Sequence, residues 1–140
     1  MVHKTFLDKA AALLAEQEKQ KAERELQKLL DTCPGAHGAL LATADGFVVA
    51  KVFKEDMADK TLAAISSSLM SLAESVAYEG RQGPCQNVIV EAEAGHVVSL
   101  RINHTRVLTV IAARRTRLGM LLSAAKVGAE QLAKILDSGK

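Results

Sequence analysis

The side chains of this 140-residue chain that suit chemistry are few and seldom stand at a working spacing. Asp45 and Asp56 are near enough in sequence to serve as a general acid and base. Asp45 precedes Gly46 between two apolar runs, "ALLATA" and "FVVAKVF", and an Asp-Gly pair so placed is explained by a type I′ hairpin turn. None of His3, His37, His96 and His104 is followed by a second ligand at the second to fourth residue, so no metal site is expected. Cys33 and Cys85 each adjoin a proline and form no C-x-x-C, which reads as two free, reduced thiols. Ser66, Ser67 and Ser68 fall inside a helical pattern with no base beside them, and no G-x-S-x-G elbow is present. Asn103-His104-Thr105 matches a glycosylation acceptor only formally, because Asp8 and Lys9 break what would have to be a secretory signal core. A phosphate loop is missing too: Gly80 and Gly83 have no helix starting directly behind them. No catalytic residue, cofactor or metal is therefore expected.

Charge is more informative than any single motif. The formal net charge is only +2. Residues 1–34 carry six charges of each sign, and residues 35–85 sum to −2. Residues 86–140 hold eight basic against four acidic side chains, with Arg101, Arg106, Arg114, Arg115 and Arg117 supplying most of the excess. Such a cluster suits phosphate or an acidic protein surface. A nucleic-acid-binding module using this basic third is thus one reading. The low net charge and the scarcity of aromatics (three Phe, one Tyr, no Trp) argue against it, since stacking platforms need flat π faces.

These residues are positioned by elements whose order is legible. Lys4 to Asp31 contains no Gly or Pro and is rich in Ala, Leu, Glu, Lys and Gln, which are strong helix formers. "EQEKQK" (Glu16–Lys21) interrupts its apolar stripe, so either one helix with a solvated waist or two helices meeting near Gln17 fits; Pro34-Gly35 ends the run. The hydrophobic period then changes from 3.6 to 2 at residues 38–43 and 47–53, the arms of a hairpin. Helix returns from Glu55 to Tyr78, followed by the loop "EGRQGPCQ". Strands are expected at Asn87–Ala94, His96–Ile102 and Arg106–Ala113, and a last helix at Thr116–Leu136, with Gly139 just past its end. The string α-β-β-α-β-β-β-α, with short connections, gives an α+β class and mostly antiparallel pairing. No run approaches the length of a membrane span, and a cytoplasmic protein is expected.

The central helix carries more apolar surface than one sheet can cover. Leu62, Ile65, Leu69, Leu72 and Val76 step by 3, 4, 3 and 4 residues, and Met70, Ala73 and Ala77 form a second ridge beside them. The surplus predicts a homodimer through the 57–78 helix, with the strand at 87–93, including Val88 and Val90, pairing edge to edge.

The ordered set resembles the Roadblock family, which includes a class of dynein light chains and many bacterial and archaeal regulators of Ras-like GTPases. The resemblance rests on "LLDTCPGAHGALLATADGFVVA", on the central amphipathic helix at the expected distance, and on the meander leading into "LGMLLSAAKVGAEQLAKIL" with Gly119 early in it. It implies a profilin-like five-stranded sheet between helices, paired with a twin through the second helix and third strand. It also implies a noncatalytic dimeric adaptor or regulator that binds a small Ras-like GTPase, by activation or scaffolding. Arg81 in the loop and the Arg114, Arg115, Arg117 group are then the partner-binding candidates. Residues 1–20 fall outside the pattern as an N-terminal helical extension, and residues 21–140 form the domain.

Overall fold

The N-terminal pattern forms one unbroken helix, α1 (Val2–Thr32), in a computed structural model that describes residues 2–137. The polar stretch Glu16–Lys21 does not divide it, because Glu, Gln and Lys favour helix whether or not a face is buried. Gly35, at φ +92°, turns the chain out of the helix. Next come β1 (Ala36–Thr43), β2 (Val48–Phe53), α2 (Asp59–Glu79), β3 (Val88–Glu91), β4 (Gly95–Ile102), β5 (Arg106–Ala113) and α3 (Leu118–Asp137). The order of elements is the one the periodicity implies. α2 starts four residues later than expected, at Asp59, whose carboxylate accepts a 2.7 Å hydrogen bond from Lys51 Nζ and ties the helix start to β2. β3 is shorter than the expected Asn87–Ala94, because Ala92 N–H turns to the Gly95 carbonyl and leaves the strand.

The five strands form one antiparallel sheet in the order β2-β1-β5-β4-β3. The class is therefore α+β and profilin-like, with helices on both faces. Strand alternation separates the two faces. Ala39, Leu41, Val98, Leu108, Val110 and Ala112 meet Leu26, Leu30, Leu121 and Leu132 of α1 and α3 in the main core. Leu40 and Ala42 point the other way, to Ala63 of α2 in a smaller cluster. Beneath α2 the sheet also buries a polar pair, Ser99 and Thr109, whose hydroxyls lie 2.8 Å apart and satisfy each other across β4 and β5.

One turn differs from expectation. Gly46 N–H donates to the Thr43 carbonyl at 3.0 Å and Thr43 N–H to the Phe47 carbonyl at 2.8 Å, closing a three-residue loop. Gly46 takes φ +96°, but Asp45 does not have a positive φ, so the turn is not type I′. Ala44 and Asp45 both carry a Cβ, and the single left-handed position falls to the glycine. The loop also packs closely on α2: a Cβ at Gly46 would stand 3.1 Å from Ala64 Cα.

Candidate functional site

α2 meets the sheet through small residues. Its buried side chains are Ala63, Ser66, Ser67 and Met70, and Ser67 Oγ donates to the Thr43 carbonyl at 2.9 Å. Small side chains bring the helix close to the strands, where a serine hydroxyl finds a backbone acceptor. This turns the stronger apolar stripe outward. Ile65, Leu72 and Val76 are 58%, 65% and 72% exposed, and Leu62 and Leu69 are half-buried. β3 is an edge strand, hydrogen-bonded only to β4. Val88 and Val90 pair with Ser99 and Val97, so they share the α2 side of the sheet; Val88 is half-buried and Val90 exposed. All seven residues expected at a self-contact thus lie on one side of the molecule, along one helix and the adjoining sheet edge.

The arginines do not form one patch. Arg101 Nε donates to Glu74 Oε1 of α2 at 2.6 Å. Arg106 approaches Glu18 of α1 at 3.6 Å, on the opposite face. Arg114, Arg115 and Arg117 are exposed around the β5–α3 turn, where Arg114 Nη1 donates to the Glu93 carbonyl at 2.9 Å. Arg81 lies at the other end of β4, roughly 23 Å away at strand rise. The expected candidates therefore occupy two separate ends of the sheet.

Arg81 lines a groove of about 1150 Å³ with Glu74, Tyr78, Cys85, Arg101 and His104. Periodicity gave no sign of this groove, because its walls come from the end of α2, the loop after it and the β4–β5 turn. The backbone at Arg81 is unusual. Gln82 N–H bonds the Ala77 carbonyl and Arg81 N–H the Tyr78 carbonyl, a Schellman helix end. Its left-handed position, normally glycine's, is held by Arg81 at φ 56°. The two thiols differ sharply. Cys33 is fully buried, and that burial pushes its thiol up from the ordinary range; Cys85 is half-buried beside the groove. Among the described residues no group of three or more His, Cys, Asp or Glu is placed to hold a metal. No helix among them is long and apolar enough to cross a membrane.

A helix-flanked antiparallel sheet with one helix on one face and two on the other defines a profilin-like α+β protein. The Roadblock/LC7 domain model matches residues 23–112, and the chain belongs to that family. Among curated proteins none matches the chain. Among solved structures, MglB in a tetrameric arrangement is 22% identical with a TM-score of 0.80, covering 88% of this chain and 93% of that one. The gliding protein MglB of Thermus thermophilus is 21% identical with a TM-score of 0.79, covering 86% and 92%. Profilin II of Acanthamoeba castellanii is 12% identical with a TM-score of 0.57, covering 77% and 93%. At these identities the structural likeness is one of fold.

Proposed function

We propose that this chain is a noncatalytic, cytoplasmic regulator or adaptor that pairs with a second copy through α2 and β3 and binds a small Ras-like GTPase. The observation that carries the reading is the outward stripe of α2, joined to an open sheet edge, in a Roadblock/LC7 domain. A contiguous apolar face of this kind calls for a partner, and a two-fold self-contact buries it with one surface. The tetrameric arrangement of the similar MglB supports self-association. Leu62, Ile65, Leu69, Leu72, Val76, Val88 and Val90 form the dimer contact. The domain spans residues 21–140 and carries residues 1–20 as a helical extension.

The GTPase engages arginines at one end of the sheet, either Arg81 or the Arg114, Arg115 and Arg117 group. Activation would work by holding the GTPase's own switch loops or by setting a guanidinium against transition-state charge. The test is GTP turnover by a small Ras-like GTPase from the same organism, with and without this chain. Altered turnover fits regulation, and unaltered turnover with a stable complex on a sizing column fits scaffolding. Unaltered turnover with no complex overturns the proposal.

A further inference from the structure

α1 is roughly 46 Å long at helical rise, and its two halves bury different things. Ala22, Leu26, Leu29, Leu30 and Cys33 face the sheet and α3. Toward the N-terminus the side chains of residues 5–17 are all exposed except the half-buried Ala10. Among them Phe6, Leu7, Leu13 and Leu14 are 68%, 52%, 60% and 66% exposed. At 100° per residue this stripe is rotated about 140° from the sheet-facing one. It is therefore not an overhang of the core face, and the chain's own domain does not cover it.

Further along the same helix the chain forms a groove of about 650 Å³ between α1 and α3. Its α1 wall contains Glu25, Lys28 and Thr32; its α3 wall contains the exposed Met120 and Val127, 49% and 56% accessible. Its floor includes Gly128, where α3 lies so close to α1 that a Cβ would meet Leu29 Cδ1 at 2.5 Å. On the helical wheel Glu25, Lys28 and Thr32 project in the same direction as Leu7, Ala10 and Leu14. One side of α1 thus carries an apolar stripe at one end and, at the other, a groove with a polar α1 wall and the apolar Met120, Ala124 and Val127 on its α3 wall. We propose that a second copy of this chain covers the stripe, each copy's stripe lying in the other's α1–α3 groove about a two-fold axis near residues 18–21.

Charge supports this occupant over a lipid surface. Residues 5–21 carry Asp8, Glu16 and Glu18 against Lys9, Lys19 and Lys21, a net charge of zero that gives an anionic membrane no basic face to attract. A stripe and a groove on one side of one helix satisfy both copies at once, as a two-fold contact requires. This face lies across the sheet from α2, so it is independent of the contact proposed above and compatible with it.

The test is the solution mass of the full chain at tens of micromolar by light scattering. With both contacts made, the wild type should exceed twice the 14.9 kDa chain mass, and with the α1 contact alone it should equal twice that mass. Leu7→Glu with Leu14→Glu should lower that mass at least twofold, and Val127→Glu, on the opposing wall, should do the same. All three positions are exposed in the single chain, so the thermal melt of the dissociated chain, taken at dilution, should not move. A Leu7→Cys, Val127→Cys chain with Cys85→Ser should form a disulfide-linked pair under mild oxidation. Within one copy those positions are some 30 Å apart along α1. A wild type at the single-chain mass, or a mass untouched by the glutamates, overturns the proposal. So does an unchanged mass with lost sedimentation on phosphatidylcholine–phosphatidylserine vesicles. Leu72→Glu keeps the two faces apart: if it changes no mass while the α1 variants do, the α2 contact fails and this one stands.

Discussion

Leu72→Ala distinguishes an α2 that faces water from one that faces a second copy. The side chain is 65% exposed in the single chain. Burying a leucine completely is worth about 1.5–3 kcal/mol, so covering the exposed two-thirds contributes about 1–2 kcal/mol per copy. A two-fold contact contains the residue twice, which brings the loss on truncation to about 2–4 kcal/mol. At 1.4 kcal/mol per factor of ten, the dimer Kd should rise roughly 30- to 700-fold. Sedimentation equilibrium over a range of loading concentrations measures this directly. Urea unfolding at concentrations below that Kd supplies the control, because an exposed leucine should change monomer stability by less than about 0.5 kcal/mol. Leu26→Ala, fully buried on the sheet-facing side of α1, should instead cost about 2–5 kcal/mol at every concentration. A Leu72→Ala Kd within about threefold of wild type would refute the assignment of this stripe to a self-contact.

Three further outcomes follow from local geometry. Gly46→Val should destabilise the chain by about 2–4 kcal/mol in urea unfolding, because a β-branched residue is strained at φ +96° and its Cβ presses on Ala64. Asp45→Asn, in the same turn, should change stability by less than about 0.5 kcal/mol. Arg81→Gly should raise the thermal midpoint, by the equivalent of about 0.5–1 kcal/mol, since glycine holds the left-handed helix end without Cβ strain. If Arg81 contacts the GTPase, the same variant should weaken that complex, separating stability from binding. Iodoacetamide at neutral pH should label Cys85 readily and Cys33 only on unfolding. Burial both hides the Cys33 thiol and raises its pKa, so little thiolate is exposed below that pKa.

The order of elements was legible because hydrophobic period reports secondary structure directly, and it changes at Pro34-Gly35 and again near Glu55 and Gln86. The facing of α2 was harder to read. The sequence assigns its strongest stripe, Leu62 to Val76, to the self-contact without saying which residues meet the sheet, and those are Ala63, Ser66, Ser67 and Met70. Close approach selects small side chains there, and the Ser67 bond to Thr43 depends on a residue 24 positions away. The Asp45-Gly46 pair gave the position of the hairpin but not its type, because loop length is set by the pairing of Thr43 with Phe47. Likewise the arginines adjoin in sequence, but the topology sends Arg101 to α2 and Arg106 to α1. The rotation between the two stripes of α1 was present in the sequence. It acquired meaning only once the structure showed which residues the sheet already covers.

The most direct test of the central claim is light scattering on the full chain, alone and mixed with a small Ras-like GTPase from the same organism. The account predicts that the chain alone contains at least two copies. With the GTPase added, it predicts a single larger species containing both proteins. Separate elution of the two proteins, with this chain at its single-copy mass, would contradict it.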